Sequence, residues 1–108
     1  MRSVSDNAAL NATVATTTWS QIPVQTKMSV GARHPIADGD RLVFTVLGNA
    51  GRWVEVTLEP SDTYTVRFFR INRSDHKRVV IGEEFDVYND MLGEIIYSLT
   101  HELGAYTP

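Results

Sequence analysis

Three runs of strict alternation between residues 41 and 71 constrain this chain more than any other feature. Leu42, Phe44 and Val46 alternate with Arg41, Val43, Thr45 and Leu47. Val54, Val56 and Leu58 alternate with Trp53, Glu55 and Thr57, and Tyr64, Val66 and Phe68 with Thr65, Arg67 and Phe69. A period of two places each set on one side of a pleated sheet. Gly48-Asn49-Ala50-Gly51 and Pro60-Ser61-Asp62 supply turns between the runs. The reading is therefore a three-stranded antiparallel meander. Pairing 46 with 54, 44 with 56 and 42 with 58 sets apolar opposite apolar, and so does pairing 58 with 64, 56 with 66 and 54 with 68. A one-residue slip would turn every one of these side chains to the other face. Val79-Val80-Ile81, beyond the Ser74-Asp75 turn, reads as a fourth strand.

Residues 87–103 carry the clearest helical pattern. Tyr88, Met91, Leu92, Ile95, Ile96, Leu99 and Leu103 recur at three- and four-residue spacing, with Asp86 as N-cap and Gly104 as a left-handed stop. Gly93 is a mild internal weakness, about 1 kcal/mol relative to alanine. Laying this helix on the inner face of the meander gives a two-layer α+β domain of three to four strands and one C-terminal helix.

The first 38 residues are less regular and rich in Ala, Thr, Ser, Asn and Gln. Ser5 or Asp6 caps a helix through Ala8, Ala9, Leu10 and Val14, and Pro23 ends any helix that reaches Trp19 and Ile22. Val24, Thr26, Met28 and Val30 alternate as a short strand does, and Pro35 with Asp38-Gly39-Asp40 separates this segment from residues 39–108. The whole chain of 108 residues is one domain's length. Its meander and helix make a thin core, so the N-terminal segment or a partner subunit packs on it.

The outer sheet face is unusually apolar for a solvated surface. In the register above Leu47 faces Trp53 and Trp53 faces Phe69, with Val43 and Ile71 nearby, while Glu55 lies opposite Arg67. Three covers fit that face: the N-terminal segment, a second copy of the chain, or a ligand stacking on the aromatic rings. Leu47, Trp53, Phe69 and Ile71 are thus the candidate partner interface.

Signs of catalysis are sparse. The absence of cysteine removes disulfides, zinc ribbons, iron–sulfur clusters and thiol chemistry. His34, His76 and His101 fall in three segments with no metal-pair spacing, and His101-Glu102 is followed by no second histidine of a zinc-protease helix. Asp38-Gly39-Asp40 is a turn rather than a calcium loop, and Gly48-Asn49-Ala50-Gly51 precedes a strand rather than a phosphate-binding helix. No serine sits in a nucleophile elbow. The expectation is a non-enzymatic protein without metal or cofactor.

Charge is more telling in its distribution than in its total of −3. Arg67, Arg70, Arg73, Lys77 and Arg78 hold half of all Lys and Arg within twelve residues, against the single acid Asp75. That basic hairpin, beside Tyr64 and Phe69, suits phosphates and stacked bases, and is the candidate nucleic-acid site. A solvated turn whose arginines pair with local carboxylates is the plainer reading. Glu83, Glu84, Asp86, Asp90, Glu94 and Glu102 follow with no Lys or Arg between 79 and 104. Part of that run is ordinary helix-dipole chemistry, and part makes an acidic face for a protein partner. No apolar run approaches 18 residues and the start lacks a signal-peptide core, so the expectation is a cytoplasmic protein with no membrane contact.

Met28-Ser29-Val30-Gly31-Ala32-Arg33, Leu42-Val43-Phe44, Val54-Glu55-Val56-Thr57-Leu58, Asp62-Thr63-Tyr64-Thr65-Val66 and Val87-Tyr88-Asn89-Asp90-Met91-Leu92 occur in that order. This series resembles small uncharacterised proteins encoded by bacteriophages, prophages and other mobile elements, over roughly residues 17–105. Two departures stand out: Thr100-His101-Glu102-Leu103-Gly104 replaces the usual Thr-Gly-Leu ending, and Val30 is inserted before Gly31. The resemblance implies a mobile-element accessory protein and names no reaction. A meander closed by a helix is also similar, at the level of fold only, to single-strand-binding domains of the Whirly and transcriptional-coactivator type. The combined expectation is a self-associating binding protein that touches nucleic acid through the 67–78 hairpin. The alternative is an inhibitor that binds a host defence protein through the acidic helix or the outer sheet.

Overall fold

The computed structural model describes residues 14–49 and 51–104. Five antiparallel strands follow one another across a single sheet in the order β1-β2-β3-β4-β5. They are β1 (Arg33–Asp38), β2 (Arg41–Thr45), β3 (Arg52–Leu58), β4 (Tyr64–Ile71) and β5 (Arg78–Val87). Helix α1 covers residues 14–21, α2 is Val24–Val30 and α3 is Leu92–Gly104. The α+β meander with its C-terminal helix is therefore present, with one more strand than the alternation alone suggests.

Alternation places the core as expected. Leu42, Phe44, Val54, Val56, Val66 and Phe68 are buried on one face with Val87, Leu92 and Ile96. Ala15, Ile22 and Val30 enter the same cluster, so the N-terminal helices cover the inner face beside α3, and Trp19 meets Phe44 edge-on at 5.3 Å. Tyr64 reinforces this packing by donating its hydroxyl to Gln21 Oε1 at 2.6 Å. β1 pairs with β2 across residue 38, so the N-terminal segment is continuous with the sheet.

Several local expectations are corrected. Val24–Val30 is a helix, not a strand: Val24 and Met28 lie exposed and only Val30 is buried. Pro23 precedes it, and Gly31 ends it with φ 66 and amide bonds back to its last turn. Pro35 does not end structure but lies inside β1, an edge strand where a missing N–H is tolerated, next to a shift of register between Arg33 and Ile36. The β3–β4 register is the expected one. The β2–β3 register is displaced by two residues, with Phe44 opposite Val54 and Leu42 opposite Val56. Asp86 caps no helix, since β5 runs to Val87 and a 3-10 turn, Asn89–Met91, precedes α3. The proposed caps Ser5 and Asp6, with Ala8, Ala9 and Leu10, lie outside the described residues.

Gly93 takes on a different meaning in three dimensions. A Cβ placed there would lie 2.8 Å from Pro23 Cδ and 2.8 Å from Thr26 Oγ1. Its lack of a side chain lets α2 press against α3.

Candidate contact surface on the outer sheet and hairpin

Odd-numbered residues of β2, β3 and β4 face away from the helices, and the register brings Trp53 opposite Phe69 and Glu55 opposite Arg67. Among the described residues no helix covers this face, yet Phe69 and Glu55 are each only 2% exposed. Arginines do the covering. Arg78 reaches over β4 from β5, places its guanidinium 4.1 Å from the Phe69 ring and donates from Nη1 to Glu55 Oε2 at 2.9 Å. Arg67 Nη1 lies 3.5 Å from Glu55 Oε1, while its Nε donates to Glu83 Oε2 at 2.8 Å. Arg41 approaches Glu55 from β2 at 3.8 Å. A carboxylate taken out of water needs such partners, and long arginine stems shield apolar surface while their heads stay wet.

The five basic candidates thus divide. Arg67 and Arg78 belong to the Glu55 network. Arg70 points to the opposite face from Arg67, paired in register with Arg52 and Val79, and is half-buried. Arg73 and Lys77 stand exposed in the hairpin turn. Among the described residues, Arg70, Arg73 and Lys77 have no carboxylate within ion-pair distance. The turn itself is braced: Asn72 Oδ1 accepts from Ser74 N at 3.2 Å, and Asn72 N donates to Lys77 O at 2.8 Å. Asp75, the turn's single acid, accepts from the Lys77 amide at 3.1 Å through Oδ1.

Of the four apolar candidates, Trp53 and Phe69 are neighbours as expected, and Ile71 lies beside Arg78. Leu47 does not join them. Thr45 is the residue opposite Trp53, and Leu47 turns through φ 55 into a 3-10 turn and packs on the inner core. Ile36, Ala37, Asp38, Val43, Trp53 and Arg78 line a depression of about 400 Å³ on the outer face. Ile36 in its lining and Val80 on β5 are each 49% exposed.

Sequence reasoning found the Glu55–Arg67 pair but missed Arg41, Arg78 and Glu83 as its partners. Nothing in local spacing signals them, because Arg41 and Arg78 reach Glu55, and Glu83 reaches Arg67, only once strand order is known. Elsewhere, burial lowers the pKa of Lys27, whose Nζ lies 4.3 Å from the Trp19 ring centroid. Tyr97 stacks on His101 at 4.1 Å on the helical side. No group of three metal-ligating side chains gathers among the described residues, and none of their helices is long and apolar enough to cross a membrane. Comparison with protein-family models, curated proteins and solved structures gives no match.

Proposed function

We propose that this chain is a non-enzymatic binding protein that self-associates and contacts nucleic acid through the β4–β5 hairpin, in the mobile-element setting its sequence resemblance implies. One observation carries the reading: Arg67 and Arg78 are committed to carboxylates, whereas Arg70, Arg73 and Lys77 are not. Arg73 and Lys77 stand exposed on the braced turn and Arg70 is next to last in the strand that leads into it; such cations suit phosphate oxygens, which bind by charge and release counterions. Trp53 lies on β3 next to the same end of the sheet. The test is a gel-shift titration with single- and double-stranded DNA at two salt concentrations. Binding is expected at low salt, weakening steeply as salt rises, and at least about tenfold weaker in the Arg70→Glu/Arg73→Glu variant. No binding at low salt, or binding indifferent to the reversal, overturns the reading.

A second reading, inhibition of a host protein, draws support from the helical side. Val24, Met28, Tyr88, Met91 and Tyr97 are exposed there beside Asp90 and Glu94. Exposed apolar side chains among acidic residues suit a basic protein segment. A stoichiometric partner retained after nuclease treatment, and lost in a Met28→Asp/Tyr97→Asp variant, favours it over nucleic acid.

A further inference from the structure

We infer that the free edge of β5 pairs antiparallel with the same edge of a second copy, joining two five-stranded sheets into one. This rests on the self-association part of the proposed function and gives it a surface; it does not depend on nucleic-acid contact.

The two edges of the sheet are built differently. β1 has six residues and contains Pro35, both of which discourage pairing. β5 has ten residues, the most of any strand, and is terminal in the sheet. Its backbone orientation follows from one bond. Asn72 N donates to Lys77 O, so by alternation Val79 turns its amide and carbonyl toward Arg70. Arg78 and Val80 then direct theirs to the open edge. Ile71 agrees, since its amide faces the other way and bonds Gly51 O at 3.2 Å. Two register shifts against β4 follow, one between Val80 and Gly82 and one between Glu84 and Val87, so residues 78–80 are the regular start of the edge.

Charge selects the occupant and its direction. Lys77 and Arg78 begin the edge, Glu83, Glu84 and Asp86 end it, and residues 79–82 carry no charge. A parallel copy would set like charge on like. An antiparallel copy that sets residues 77–80 of each chain against 83–86 of the other places Lys77 opposite Asp86 and brings the basic start of each edge beside the acidic end of the other. Arg78 and Glu83 also serve the Glu55 network. Lys77, Glu84 and Asp86 are exposed and have no ion pair among the described residues, so they carry the complementarity. Val80 and Phe85, 49% and 55% exposed, lie along the same edge and lose water on pairing.

Sedimentation velocity over a wide concentration range tests this on the full chain. The wild type is expected to move from monomer to dimer as concentration rises. Val80→Pro removes an outward N–H and remains monomeric with an unchanged circular dichroism spectrum. Lys77→Glu alone and Glu84→Lys/Asp86→Lys alone each weaken dimerisation at least about tenfold, and mixing these two variants restores it as a heterodimer. A wild type monomeric throughout overturns the inference. So does a dimer indifferent to Val80→Pro, or charge variants that fail to rescue one another. Nucleic-acid binding by a monomeric wild type would sink the edge pairing while sparing the hairpin contact.

Discussion

The two faces of the sheet are both dry at their centres, for different physical reasons. The inner face excludes water with aliphatic and aromatic side chains under three helices, and Phe44 and Phe68 are wholly buried there. The outer face buries Phe69 and Glu55 equally well with no helix over them among the described residues. Its cover is three arginines drawn inward by one carboxylate. Burial on one side is hydrophobic and indifferent to salt; on the other it depends on ion pairs that salt screens. The difference also sorts the cations around the hairpin. Among the described residues Arg41, Arg67 and Arg78 are held by carboxylates, whereas Arg70, Arg73 and Lys77 are not.

The contrast breaks most easily on the inner side. Phe44→Ala should cost about 3–5 kcal/mol in denaturant unfolding, by the same amount at low and high salt. Gly93→Ala should cost about 1–3 kcal/mol through overpacking against Pro23 and Thr26. On an exposed helix this exchange would stabilise by about 1 kcal/mol, so a gain in melting temperature would refute the close approach of α2 to α3. On the outer side, Glu55→Gln should cost about 1–3 kcal/mol at low salt. High salt should shrink that loss, because the charged partners of Glu55 are partly solvated, with side chains 32–51% exposed. A loss as salt-independent as that of Phe44→Ala would erase the distinction between the faces.

What the sequence made legible follows the same physics. Alternation fixes which face a residue takes but fixes register only to the nearest two residues. Alternation therefore puts Phe44 and Val54 on the correct face, although it leaves their pairing displaced. The displacement comes from Leu47, Gly48 and Gly51, whose left-handed backbones end β2 at Thr45. Leucine seldom adopts that conformation, so its spacing mimics one more strand residue. The register of β3 and β4 is legible because the Pro60-Ser61-Asp62 turn leaves the alternation intact up to Leu58 and Tyr64. α2 misled because seven residues hold too few turns for a helical period to outweigh alternation at Val24, Thr26, Met28 and Val30. β1 left no signal, being exposed along its whole length. At the candidate site, the cluster of cations was legible as composition. Its division into occupied and available members was not, since it depends on Glu55 meeting side chains from β2, β4 and β5.

That division is most directly tested by the salt dependence of single-stranded DNA binding in two double variants. Arg70→Gln/Arg73→Gln is predicted to reduce the slope of log affinity against log salt by about 1–2. Arg41→Gln/Arg67→Gln, which removes cations already held by Glu55, is predicted to leave the slope unchanged. An equal reduction in both, or a loss confined to the second variant, would contradict the account.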